Sequence, residues 1–303
     1  MVGAPHGVIP AIPTPFTSDG QEVDVDALRR VVRYVLDAGV HGIMTNGGTG
    51  EFPHLSSEER RLVTEVVAAE TAGAATIYAG TSACATWEAI ELTHDAAAAG
   101  ADAAILVPPF YFGVPDEMLY RHFADIAAVG ILPIVVYNNP LYTGNSLSPA
   151  LVAELMQVDG IVGLKQSQDD LGQLVEVLRL AEASGRGLCT GIDSQFYAAI
   201  CVGAHGIYST AASIVPAPMV QLWDLVQEGD HDGALARHRA LQPLNQFLEY
   251  DPGYVSPTKE ALRLLGLDCG PVRRPLPDFP ASERPALQEA LAGLGVLERG
   301  TVA

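Results

Sequence analysis

The sequence predicts a (β/α)8 barrel carrying a helical extension at its C-terminal end. Three observations lead there. The chain has 303 residues, long for an average domain but within the range of one such barrel. Eight short apolar runs alternate with amphipathic stretches. After Gln227 the pattern turns to helix only. A barrel over 1–227 and a helical region over 228–303 follow.

The eight predicted strands are 7–11, 42–46, 76–80, 103–107, 133–137, 162–165, 188–191 and 206–209. Each is apolar or small without strict alternation, the pattern of parallel strands covered on both faces. Between them lie helix starts. Ser56-Ser57-Glu58-Glu59 is a capping box. Thr86-Trp87-Glu88 opens a stretch that Gly100 stops, and Pro115-Asp116-Glu117 places a proline and two acids where a first turn favours them. Ser148-Pro149 and Asp169-Asp170 open two more. A doubly wound open sheet is the runner-up, but no G-x-G-x-x-G follows the first strand. Beyond 227 the helices are expected over 232–249, 258–265 and 281–297.

Composition narrows function. Thirty-six acids against 17 basic residues leave a formal charge of −19, a surface that repels nucleic-acid backbones and anionic lipid. Neither nucleic acid nor membrane is therefore expected as a partner. The four cysteines show no C-x-x-C spacing, which fits a reduced cytosol, and Met1 to Gly7 lacks signal-peptide character. The eight histidines form no metal-ligand set, so no metal or cofactor is expected. No G-x-S-x-G elbow appears.

Among the basic residues only Lys165 and Lys259 are lysines. Lys165 ends the apolar run Gly160-Ile-Val-Gly-Leu-Lys165. In a barrel, strand C-terminal ends face the active-site mouth. Burial disfavours a charged amine, and a neutral amine attacks a ketone to form a Schiff base whose iminium is an electron sink. A lysine snorkelling at the strand end, or paired with an acid, is the other reading. Lys259 lies in a polar helix start and is expected to be solvated or a subunit contact. Tyr137 ends the fifth strand, as a proton shuttle or a core phenol. Gly47-Gly48-Thr49-Gly50 is a glycine-rich turn that offers backbone N–H groups to an anion or serves structure alone. Tyr111 sits in the aromatic cluster Phe110-Tyr111-Phe112.

Four motifs then stand in register: Gly47-x-Thr49-Gly50-Glu51, Pro109-Phe110-Tyr111, Tyr137-Asn138-x-Pro140 and Gly163-Leu164-Lys165. With Ile12-Pro13-Thr14-Pro15-Phe16 near the start, the chain resembles the dihydrodipicolinate synthase / N-acetylneuraminate lyase family from about Gly7 to Pro275. That resemblance implies a class I lyase acting on pyruvate or a related 2-keto acid, assembled as a homotetramer, a dimer of dimers, in the cytoplasm. It implies Lys165 as the Schiff-base lysine, Tyr137 as the proton-transferring phenol and Thr49 as a relay to it. Tyr111 would cross a dimer interface to complete a neighbour's relay. The backbone at Gly48 and Thr49 would hold the keto-acid carboxylate. Ser167, Gly191, Asp193, Tyr208, Ser209 and Tyr142 complete the expected substrate-binding set.

Three departures bear on substrate. Tyr142 stands where the lysine-pathway synthase has an arginine for the aldehyde's carboxylate. Ser194 follows Asp193 where the sialic acid lyase has glutamate, and Gly48 replaces the usual serine or threonine. The first expectation is therefore cleavage or formation of a 2-keto, 3-deoxy sugar-acid-like acid through a lysine–pyruvate enamine. The alternatives are a 2-keto-3-deoxy sugar acid dehydratase, dihydrodipicolinate synthase proper, and a non-catalytic keto-acid-binding paralogue.

Overall fold

The computed structural model describes residues 3–249 and 253–297. The outermost residues of both expected regions, 1–2 and 298–303, lie outside that range. All eight predicted runs are strands, with every end within one residue of expectation: β1 Gly7–Pro10, β2 Gly42–Thr45, β3 Thr76–Gly80, β4 Ala103–Leu106, β5 Ile134–Asn138, β6 Ile161–Gln166, β7 Gly187–Thr190 and β8 Gly206–Ser209. They pair in parallel in the order β1-β8-β7-β6-β5-β4-β3-β2. The remaining seam, between β1 and β2, is drawn together by a bridge from Ala11 to Met44. There the Ile12 N–H donates to the Met44 carbonyl at 3.1 Å, and the His41 N–H donates to the Val8 carbonyl at 2.9 Å. The barrel is thus nearly closed.

The lumen is filled by side chains, Ile9, Met44, Tyr78, Ile105, Val135, Cys189 and Tyr208 among them, so it is a packed core that opens only at its mouth. Outside the strands, two larger apolar clusters bind the helices to the sheet. The capping box predicted at Ser56 forms: its hydroxyl accepts from the Glu59 N–H at 3.2 Å, and Glu59 Oε2 accepts from the Ser56 N–H at 2.9 Å. Asp170 caps the helix Leu171–Ala183 in the same way, accepting from the Gln173 N–H at 2.9 Å.

Beyond the barrel lie the helices His231–Leu248, Val255–Leu264 and Arg284–Gly293. They are stitched to the turn after β2. Arg273 donates to the Glu59 carboxylate at 2.5 and 2.7 Å, and its own N–H donates to Glu51 Oε2 at 2.9 Å. Lys259 corrects the sequence reading. It is 4% exposed, not solvated, and its ammonium lies 2.7 Å from Glu51 Oε1. It also donates to the Pro271 carbonyl at 2.8 Å and stands 4.2 Å from the centre of the Phe16 ring. Burial pulls this ammonium below its ordinary range, while Glu51 pulls it back up. A helix start rich in Ser, Pro and Thr looked like a surface. The glutamate of a distant turn made it an interior.

Candidate active site

Strands β5 and β6 run in register, with Tyr137 beside Lys165 and Asn138 beside Gln166. Directly adjacent residues of parallel strands point to the same face, so the phenol and the amine turn inward together. Lys165 is 5% exposed. Its Nζ stands 3.9 Å from the centre of the Tyr137 ring, 5.5 Å from that of Tyr208 and 3.9 Å from Met44 Sδ. Among the described residues no carboxylate forms an ion pair with it. Gly191 on the next strand end makes room. A Cβ there would stand 2.6 Å from Lys165 Cε and would overlap the Ser167 hydroxyl.

The amine opens onto a cavity of about 440 Å3 at the barrel mouth. Of the expected residues, Gly48, Thr49, Tyr137, Tyr142, Lys165, Ser167, Gly191, Asp193 and Tyr208 line it. The buried Ser167 Oγ has no hydrogen-bond partner among the described residues. Ser209 is a correction. It is buried outside the lining and donates to Asp193, so it supports the wall and does not form it.

Asp193 also accepts from the Thr210 and Ala211 N–H groups at 3.1 and 3.2 Å. Burial pushes its carboxyl up to about 6 against the pull of those donors, and Glu249 adds a smaller push in the same direction.

The turn after β2 is fixed by Asn46 and Glu51 in left-handed conformation and by Thr14, whose hydroxyl donates to the Gly50 carbonyl at 2.7 Å. Among the described residues, the N–H groups of Gly48 and Thr49 donate to nothing. Two such amides on a cavity wall are an anion site. The Thr49 hydroxyl departs from expectation: it bonds to Thr210 Oγ1 at 3.0 Å and not to Tyr137. The Tyr137 hydroxyl instead accepts from Asn139 Nδ2 at 2.9 Å. Tyr111 lies away from the lining, 87% exposed, at φ 81°. A left-handed backbone is costly for a bulky residue, and here it holds the ring in solvent against Phe112, with ring centres 4.8 Å apart.

Sequence reasoning missed Asn139, Thr210 and Tyr254 at this site. The first two adjoin motif residues. Tyr254 comes from the C-terminal region and carried no local signal. Among the described residues no group of three His, Cys, Asp or Glu side chains converges as a metal site.

A buried strand-end amine and a phenol in register with it, at the mouth of a (β/α)8 barrel, are the arrangement of a class, the Schiff-base-forming lyases built on that fold. The comparisons make it particular. The model of the Dihydrodipicolinate synthetase family matches residues 4–293, and the chain belongs to that family. It is 34% identical over 288 residues to the 4-hydroxy-tetrahydrodipicolinate synthase of Methanospirillum hungatei, covering 95% of this chain and 98% of that one. It is 37% identical over 290 residues to the synthase of the same name from Moorella thermoacetica, covering 96% and 98%. A solved structure of the chloride-inhibited dihydrodipicolinate synthase of Acinetobacter baumannii, complexed with pyruvate, superposes with a TM-score of 0.91 at 33% identity, covering 96% of this chain and 99% of that chain. The protein is thus an enzyme, a lyase of the class I aldolase type. Among its described residues no helix is long and apolar enough to cross a membrane.

Proposed function

We propose that the chain joins pyruvate to an aldehyde, or releases it from the corresponding 2-keto acid, through a Schiff base on Lys165. One observation carries this: a buried amine with no acidic partner among the described residues, beside an in-register tyrosine, on a cavity that is also lined by the Gly48–Thr49 turn with its two unused amides. The amine adds to the ketone of pyruvate and water leaves. The Gly48 and Thr49 amides hold the carboxylate. The iminium draws the adjacent C–H electron pair into an enamine as Tyr137 takes that proton and gives up its own hydroxyl hydrogen; the enamine carbon then attacks the aldehyde carbon, the resulting alkoxide takes up a proton, and water hydrolyses the new iminium to free the 2-keto acid and the amine. Tyr111 is assigned to the interface of a homotetramer, an assignment supported by its exposure against the equally exposed ring of Phe112.

The names of the relatives favour 4-hydroxy-tetrahydrodipicolinate synthesis as the reaction, one of the alternatives to the sugar-acid reading. A second reading, cleavage or dehydration of a 2-keto-3-deoxy sugar acid, is favoured by the lining itself. Among the described residues Lys165 is the only basic one in it, and Tyr142 occupies the place where a carboxylate-binding arginine would stand. A turnover screen separates the two: pyruvate with carboxylate-bearing and neutral aldehydes in one direction, 2-keto-3-deoxy acids in the other. Lys165→Ala is expected to abolish turnover. Tyr137→Phe is expected to slow it by about 10²-fold while pyruvate still binds. An Ala variant that turns over at the parent rate would refute the reading.

A further inference from the structure

The vacancy at Gly48 is filled from a distant part of the chain. A Cβ built on Gly48 would overlap the hydroxyl oxygen of Tyr254 and stand 3.4 Å from its Cζ. A small hydroxylated side chain at residue 48 would therefore place its oxygen close to where the Tyr254 phenol already is. Tyr254 and Gly48 line the same cavity as Tyr137 and Lys165.

The turn's own hydroxyl, Thr49 Oγ1, is bonded to Thr210 at 3.0 Å, and among the described residues it makes no bond to Tyr137. Nor is Asn139 a proton carrier: its amide donates to the Tyr137 oxygen at 2.9 Å and leaves the phenolic hydrogen free to move. On the outer side, the Tyr254 ring meets Tyr142 edge-on, with centres 6.0 Å apart, and Tyr142 is 55% exposed. Tyr142, Tyr254 and Tyr137 thus line the one cavity onto which the amine opens.

We propose that Tyr254, seated in the side-chain place that Gly48 leaves open, is the second phenol of the proton path and carries protons between Tyr137 and water at the cavity mouth. This rests on the Schiff-base reading above. When the C–H bond beside the iminium breaks, its electron pair becomes the enamine C=C and the iminium π pair returns to nitrogen. The proton goes to the Tyr137 oxygen, which passes its own hydrogen to Tyr254, and Tyr254 passes its own to a water at the rim. Each phenol gains one proton and loses one, and solvent receives one in total. Burial pushes the Tyr254 phenol well above its usual range, and the neighbouring Tyr137 and Tyr142 add to the push. It therefore rests as a neutral O–H, able to donate and accept at once.

The test uses the full chain and pyruvate with three readouts: the borohydride-reduced adduct on Lys165, the exchange of pyruvate methyl hydrogens with deuterated water, and the melting temperature. Tyr254→Phe keeps the ring and removes only the oxygen. It is expected to form the adduct within about twofold of the parent yet exchange methyl hydrogens more slowly by about tenfold or more. A purely structural tyrosine would not move exchange without moving melting. The reciprocal swap follows: Gly48→Ser slows the parent by displacing the phenol, yet in a Tyr254→Ala background it restores exchange severalfold by returning a hydroxyl. Unchanged exchange in Tyr254→Phe, with the adduct intact, overturns the role of Tyr254 alone. No adduct in the parent overturns the Schiff-base reading, and this inference with it.

Discussion

A single methyl at residue 191 would come within 2.6 Å of Lys165 Cε and into the Ser167 hydroxyl. Gly191→Ala is therefore expected to push the amine out of line. The adduct with pyruvate should form at least about tenfold more slowly, while the melting temperature stays within a few degrees, because the clash is with the end of a side chain and not with the core. An unchanged adduct rate would show that the lysine has room that the structure denies it. At this scale the sequence was informative wherever chemistry and position coincide. A lysine in an apolar run of a lysine-poor chain was conspicuous, and so was the tyrosine one strand earlier. The Thr49 hydroxyl was misdirected because a side chain's rotation depends on neighbours such as Thr210, which one-dimensional spacing does not contain. Tyr254 was invisible for the same reason: it meets Gly48 only because the chain returns to the mouth 206 residues later (254 less 48).

The turn after β2 and the helix Val255–Leu264 are held together by a buried ion pair. The Glu51 side chain is fully enclosed, and its partner Lys259 is the other lysine of the chain. Removing one member of such a pair strands a charge in the interior, at a cost of about 3–5 kcal/mol. Lys259→Met should lower stability by about that amount in chemical denaturation. Combining it with Glu51→Gln should recover a large part, since the stranded charge is then gone. A loss below about 0.5 kcal/mol for Lys259→Met would mean that Glu51 is satisfied by the Arg273 N–H and water instead. Element boundaries within the barrel were legible because short buried strands have a strong apolar signature, and because Ser56 and Asp170 announce their helices. The tie between Lys259 and Glu51 was not, because a long-range ion pair leaves no periodicity in the sequence.

The whole molecule combines an acidic exterior with a locally receptive mouth. The formal charge of −19 is that of the whole chain, whereas the proposed keto-acid site draws on backbone amides, phenols and one amine. The C-terminal helices are part of that arrangement. They supply Leu248, Glu249 and Tyr254 to the cavity wall and lock the Gly48–Thr49 turn from behind through Lys259 and Arg273. The barrel topology was readable from eight alternations, but the contribution of the extension to the site was not, since it read as an appended helical region. The central claim, that Lys165 is the covalent centre, meets its most direct test in borohydride reduction of the intact chain with pyruvate, followed by peptide mass mapping. With only two lysines in the chain the result is unambiguous. A pyruvyl-sized adduct is expected on Lys165, none on Lys259 and none in Lys165→Ala. An adduct on Lys259, or none with pyruvate or any longer 2-keto acid, would contradict it.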